Sequence, residues 1–264
     1  MLISHETPIA YLPQSYLWND YDYCLVHLCD THPEYLDFYK EAVKKGREVL
    51  LDNSIFELGE SYDPEKFADR IVDIKPTYFI VPDVLEDAAQ TMQNWDDFVA
   101  NYGHLPGMKI GVVQGKTKQE LLDCYRFMSD RADYIAISFD YSYYSITSCG
   151  KNKLETYMNG RQDFIAWLNC TGWWRSDKPH HLLGCSLARE FKAYCGLKGL
   201  RSVDTSNPIV AALNDERYIR GIGLLNHKPK VKLADQIDAK YDKEKLKLML
   251  QNTQAFREIT EGRL

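Results

Sequence analysis

One pattern recurs along this chain and restricts what it can fold into: a short apolar run that gives way abruptly to polar side chains. In Arg47 to Glu57, REVLLDNSIFE, the run Val49-Leu50-Leu51 passes into Asp52-Asn53-Ser54. A short apolar run bounded by polar turn residues reads as a strand buried on both faces, and the polar triplet as the loop leaving its C-terminal end. The same transition occurs where Ile80-Val81 runs into Asp83 and Val112-Val113 into Gln114. It occurs again where Ile135 to Ile137 runs into Ser138 and Asp140, Leu182-Leu183 into Cys185-Ser186, and Ser202-Val203 into Asp204. Six strands that deliver polar groups at the same end describe a site if those ends meet.

Helical segments with recognisable ends separate the runs. Pro33 to Lys45 has proline in its first turn and Gly46 just beyond it, and Asp63 to Ile74 opens Asp-Pro-Glu and stops before Pro76. Thr117 to Asp130 opens on the capping box Thr117-Lys118-Gln119-Glu120. Further helices are expected over Glu86 to Tyr102, Arg161 to Leu168, Leu187 to Tyr194, beyond Pro208, and over Asp242 to Ile259. The first strand is expected at Tyr23 to Leu28, and an eighth at Gly221 to Leu224. Residues 1–20 lack a clean period and are read as crossing the bottom or rim of the domain. Asp140 to Gly160 reads as a long irregular connection, a kind that tends to be functional or mobile.

Alternating strands and helices with short connections and no hairpin signal predict a parallel sheet with right-handed crossovers. Seven or eight such units in 264 residues predict a single-domain (β/α)8 TIM barrel spanning residues 1–264. No Gly-x-Gly-x-x-Gly or Walker motif supports a nucleotide-cofactor fold. In a barrel the C-terminal strand ends converge on one face, where catalytic groups sit.

Composition narrows the function classes. No segment approaches the ~18 apolar residues of a membrane span, and the N-terminus lacks the basic-then-apolar order of a signal peptide. Cytoplasmic residence is therefore expected, without a membrane partner. Seven cysteines with no CxxC pair argue against both a disulfide framework and a thiolate zinc site. Net charge is −6, yet residues 217–264 hold eleven Lys and Arg against six Asp and Glu, leaving −11 on the rest. Lys228, Lys230 and Lys232 alternate around Pro229 and Val231, which places them on one side of an extended segment. This basic C-terminal segment is either a solvated face or a phosphate-contacting patch.

At the strand exits, Asp52, Asp83, Asp140 and Asp204 have no cation from the same exits beside them. Close carboxylates repel, which suits general acid/base chemistry or a carboxylate nucleophile at an anomeric carbon. Gln114 offers a donor and an acceptor, Gly184, Cys185 and Ser186 offer backbone groups, and Phe56 offers a stacking face. Those are the parts needed to read the edge of a planar heterocycle. The plainer reading is that each Asp caps the next helix, with Asp87 able to serve beside Asp83. His180-His181 and Trp173-Trp174 read as structural, and Asp96, Asp97 and Asp163 as solvated helix positions. Aspartate-rich barrel mouths also hold divalent ions, but the exits offer few His ligands, His27 being the nearest, so no metal is expected.

The spacing resembles the tRNA-guanine transglycosylases and their DNA-acting phage and bacterial relatives. Asp52-Asn53-Ser54-Ile55-Phe56-Glu57 is similar to that family's D-S-G-G-F-Q, whose Asp is the proposed proton-transfer group. Val81-Pro82-Asp83-Val84 resembles the segment whose Asp binds the incoming base, and Gly111-Val112-Val113-Gln114-Gly115 its G-x-V-Q-G, whose Gln contacts that base. Leu183-Gly184-Cys185-Ser186 falls at the family's Gly-rich backbone reader, and Ser202-Val203-Asp204-Thr205-Ser206-Asn207 at its G-V-D-x-x-D. The match covers residues from about 50 to 208.

The resemblance implies guanine exchange in a nucleic acid, DNA rather than tRNA, for a 7-deazaguanine. Asp204 would be the nucleophile on the sugar and Asp52 the proton-transfer group. Phe56, Asp83, Gln114, Gly184, Cys185 and Ser186 would hold the base, Lys228, Lys230 and Lys232 would contact the nucleic acid, and no cofactor would be needed. There are departures. Ser54 and Ile55 stand in place of two glycines, and Asn207 stands where the family's second Asp, its nucleophile, aligns. The zinc subdomain C-x-C-x-x-C…H is missing, which together with the short length points to a reduced relative, phage-encoded and acting in a host cytoplasm. Two alternatives stay open: a catalytically silent relative that binds nucleic acid or a partner protein, and an N-glycosidase that releases a base.

Overall fold

The computed structural model describes residues 1–139, 141–224 and 232–262. The strands are β1 (Leu2–Ser4), β2 (Asp22–Leu25), β3 (Val49–Asp52), β4 (Tyr78–Ile80), β5 (Met108–Val113), β6 (Tyr134–Ser138), β7 (His180–Leu183) and β8 (Leu200–Asp204). They form one sheet in the order β1-β8-β7-β6-β5-β4-β3-β2, and the paired registers are parallel. With helices in the crossovers, this is the (β/α)8 barrel fold. The strands β3 and β4 are buried along their full length, as continuous apolar runs demand when both sheet faces are covered.

Several helix ends follow their sequence signals. Asp63 accepts from the Lys66 N–H at the start of α4 (Pro64–Ile74), and Thr117 and Glu120 form both halves of the capping box on α6 (Lys118–Arg131). Between these, α5 (Ala88–Tyr102) is capped by Asp87, whose side chain accepts from the Gln90 N–H.

Five expectations need correction. The eighth strand is β1, not Gly221–Leu224; there Gly221 and Gly223 take positive φ and form a turn closed by the Ile219–Gly223 bridge. Residues 2–4 therefore belong to the sheet instead of the rim. The first expected strand stops at Leu25, where the chain turns into helix α1 (Val26–Thr31), followed by α2 (Pro33–Lys44). The stretch read as irregular carries α7 (Ser142–Thr147) and the first turns of α8 (Lys153–Cys170), capped by Asn152. Ala188–Tyr194 is a 3-10 helix, and the remaining α-helices among the described residues are α3 (Ile55–Leu58), α9 (Asn207–Leu213) and α10 (Lys243–Thr260).

Internal packing groups the chain into two compact units, Tyr21–Tyr143 with Lys178–His181, and Met1–Asp20 with Tyr144–Asp177 and Leu182–Leu264. In the first, Phe67 of α4, Phe79 of β4 and Phe98 of α5 meet edge-on or tilted at 6.1–6.3 Å between centroids. His181 lies among Tyr21, Tyr23 and Tyr134, stacked on Tyr23 at 6.1 Å, and His180 contacts the Tyr125 hydroxyl at 2.9 Å, so both histidines are structural. In the second unit, α9 and α10 close over Tyr11, Trp18, Ile209, Ala212 and Met249. Trp174, four residues beyond α8, is buried with its indole N–H on the Lys198 carbonyl, while Trp173 is exposed.

Candidate functional site

The exits of β3, β4 and β5, in the first unit, bring two predicted residues, Asp83 and Gln114, together with Asn53. Asp83 is 2% exposed, and its two carboxylate oxygens are held separately. Asn53 Nδ2 donates to Oδ1 at 2.7 Å, and Gln114 Nε2 donates to Oδ2 at 2.6 Å. Each amide is itself oriented. Asn53 Oδ1 accepts from the Ile55 N–H and its Nδ2 also reaches the Val81 carbonyl, while Gln114 Oε1 accepts from the Glu86 N–H at 2.8 Å. Burial raises the Asp83 pKa above the ordinary carboxylate value, and the two amide donors pull it back down. Because Asp87 caps α5, the capping explanation for Asp83 falls away. Both carboxylate oxygens keep a further lone pair and Gln114 a second N–H among the described residues, so the pair can meet adjacent donors and an acceptor on a planar ring.

Asp52, at the end of β3, is fixed from both sides. The Tyr23 hydroxyl on β2 donates to Oδ2, and the Ser54 N–H donates to Oδ1. Tyr23 is in turn held by the Tyr39 hydroxyl on its carbonyl at 2.6 Å and by the His181 ring. Ser54 takes φ of +59°, so the chain bends left-handed at one of the two positions where the resembled family has glycine. Phe56, four residues beyond Asp52, is 59% exposed.

The second unit builds a separate polar cluster at the exits of β7 and β8. Asp204 is 4% exposed, and one of its oxygens accepts from the Gly184 N–H at 3.1 Å. The N-cap position of α9 is Ser206, so Asp204 is not a cap. Thr205 donates its hydroxyl to the Cys185 carbonyl at 2.7 Å and accepts from the Asn207 N–H at 3.1 Å. Burial pushes the Cys185 thiol well above its usual pKa, which removes it as a nucleophile and leaves its backbone as the useful part. Ser186 is buried beside it.

A cation does reach this exit, contrary to the reading from strand ends alone. Arg161, on α8 and fully buried, donates to both Glu190 oxygens at 2.6 and 2.9 Å. It also donates to the Leu183 and Gly184 carbonyls at 2.9 and 2.8 Å, which fixes the loop that aims Gly184 N–H at Asp204. Tyr194 donates to Glu190 as well. His5, at the end of β1, contacts the Thr205 carbonyl at 2.8 Å, and burial lowers its pKa to about 4, leaving it neutral.

Sequence reasoning missed Asn53, Tyr23, His5, Arg161 and Glu190. Only Asn53 carried a usable signal, lying inside the polar triplet after β3. Asp140, Lys228 and Lys230 lie outside the described residues; Lys232 is exposed, its N–H on Asp235. Asp96 pairs with Arg131 at 3.7 Å, and Asp163 accepts from Ser148. Among the described residues no three His, Cys, Asp or Glu side chains gather as metal ligands, and no helix is long and apolar enough to cross a membrane. His27 instead donates its backbone N–H toward the Ser54 hydroxyl. All seven cysteines are free. Compared with known proteins, the chain matches no family model and no curated sequence.

Proposed function

We propose that the protein exchanges guanine in a nucleic acid, DNA rather than tRNA, for a 7-deazaguanine. The observation that carries this reading is the Asp83 carboxylate clasped between Asn53 and Gln114, two oriented amides that leave an acceptor–donor edge of the kind a guanine-like ring requires. In this reading an Asp204 oxygen attacks C1′ of the sugar as the bond to the base nitrogen breaks, the base leaving with the electron pair and taking up a proton. The incoming base then attacks C1′, releases the Asp204 carboxylate and regenerates the glycosidic bond. Asp52 serves both steps as the proton-transfer group, a role that typically contributes about 10²–10⁴-fold. Asp83 and Gln114 hold the base edge, Gly184 to Ser186 supply backbone contacts, and Phe56 offers a stacking face. One glycosidic bond replaces another, so neither ATP nor a redox cofactor enters the balance. The target base must first leave its stack, at a cost of a few kcal/mol.

Radiolabelled guanine, or a labelled 7-deazaguanine, offered with duplex DNA and separately with tRNA tests the reaction. Incorporation by the wild-type protein that is lost in Asp204→Asn is the expected result. No incorporation into either nucleic acid, or an Asp204→Asn protein as active as wild type, rejects it. A silent nucleic-acid-binding relative is the second reading, favoured by the amide at Asn207. It predicts salt-dependent binding through residues 217–264 without a covalent adduct.

A further inference from the structure

The three residues that follow Asp204 hold an unspent hydrogen-bond donor. Asn207, the first residue of α9, is 5% exposed, and among the described residues its Nδ2 has no hydrogen-bond partner. The orientation of the carboxamide is set from behind. Burial pushes the Tyr218 phenol well above its ordinary pKa, so it keeps its proton, and it donates that proton to Asn207 Oδ1. Turning the amide over would leave the phenolic hydrogen without an acceptor, so Nδ2 is the free end. Tyr218 is itself anchored, because its N–H donates to Asn252 Oδ1 at 2.9 Å while Asn252 Nδ2 holds the Pro208 and Glu216 carbonyls at 3.1 and 2.9 Å. The Asn207 backbone is pinned by Thr205. A second polar deficit lies on the neighbouring strand: Ser4, whose Cα pairs with that of Asp204 across β1 and β8, buries a hydroxyl that has no partner among the described residues.

Folded proteins satisfy more than about nine in ten buried polar groups, and an orphaned donor is costly. An amide built into place by Tyr218 and Asn252, yet left with nothing to donate to, is complete only when an acceptor arrives. We infer that Asn207 Nδ2 is a substrate contact, donating to an oxygen of the furanose sugar of a nucleoside. This rests on the reading of Asp204 as the group that attacks C1′, since the sugar is then the part of the substrate beside it. The position thus supplies a neutral donor to the sugar where a carboxylate would supply a nucleophile.

The test uses full-length protein labelled with ¹⁵N-asparagine, with the Asn207 side-chain NH₂ signals identified by their loss in Asn207→Asp. The probes are 2′-deoxyguanosine, guanosine and, as the sugar-free control, 7-deazaguanine. The expected result is movement of the Asn207 pair with the nucleosides and not with the free base. Nucleoside affinity should fall about tenfold in Asn207→Asp, which keeps the shape but loses the donor, and less in Tyr218→Phe, which keeps the donor but frees its orientation. Absence of nucleoside binding, an Asn207 pair unmoved at saturation, or Asn207→Asp binding as tightly as wild type overturns the inference. Base exchange with Asn207 unmoved would sink the sugar contact alone. Nucleoside binding through Asn207 without exchange would sink the reaction and leave the contact standing.

Discussion

Replacing Arg161 by methionine should destabilise the protein severely, and the structure fixes how much. Both partners of the Arg161–Glu190 pair have fully buried side chains, and among the described residues the guanidinium donates two hydrogen bonds to the carboxylate and two to the carbonyls of Leu183 and Gly184. Arg161→Met leaves Glu190 as a buried charge supported by the Tyr194 hydroxyl and loses the donors on both carbonyls. Breaking a buried pair from one side costs roughly 3–5 kcal/mol, a large share of a typical total of about 5–15 kcal/mol. For a chain of this size that is a fall in melting temperature on the order of 10 °C. Urea unfolding followed by circular dichroism gives the number directly. The companion variant Arg161→Met/Glu190→Leu removes both charges and should recover most of the loss, because well-packed apolar residues often replace a buried pair at little cost. A single variant that costs less than about 1 kcal/mol, or a double variant as unstable as the single, would refute the reasoning.

Three further outcomes are expected. His5 titrates at about 4 in the folded protein against an ordinary 6.5, so the native state binds fewer protons between those values. Stability is therefore complete above about pH 6.5 and falls as the pH drops toward 4, by roughly 3 kcal/mol from this group; His5→Gln should flatten that part of the urea-midpoint profile. Ser54→Gly should unfold within about 0.5 kcal/mol of wild type or above it, whereas Ser54→Val should lose at least about 1–2 kcal/mol, because +59° is left-handed backbone that a β-branched side chain resists. Tyr23→Phe removes the phenolic donor from Asp52. Base exchange should fall about tenfold with the unfolding midpoint shifted by much less than in Arg161→Met, and exchange at the wild-type rate would show that the phenol has no part in it.

Much of the frame was readable because it rests on local chemistry. Asp63, Thr117 and Glu120 announce their helices through contacts within one turn, and the burial of Val49–Asp52 follows from an unbroken apolar run. Where the signal needed length it failed. Three residues, Leu2 to Ser4, are too few to show a period, and their partners Ser202 to Asp204 lie about 200 positions away. Gly221 to Leu224 is apolar enough for a strand, but its glycines serve a turn. In the two polar clusters, Asp52, Asp83 and Gln114 in one and Asp204 in the other stood out as polar groups ending apolar runs. Their partners did not, since Tyr23 meets Asp52 across 29 residues and Arg161 meets Glu190 across the same distance. An arginine in mid-helix and a tyrosine in a strand carry no mark of the group they will find.

The pairing of β1 with β8 also bears on the order in which the protein is made. Residues 21–143 supply nearly all of one compact unit and leave the ribosome in one continuous length. Residues 1–20 emerge before that length but group with later segments of the chain, and Leu2 lacks its partner in β8 until Ser202 is synthesised. At about 5–20 residues per second, the first segment waits on the order of ten seconds or more for its partner.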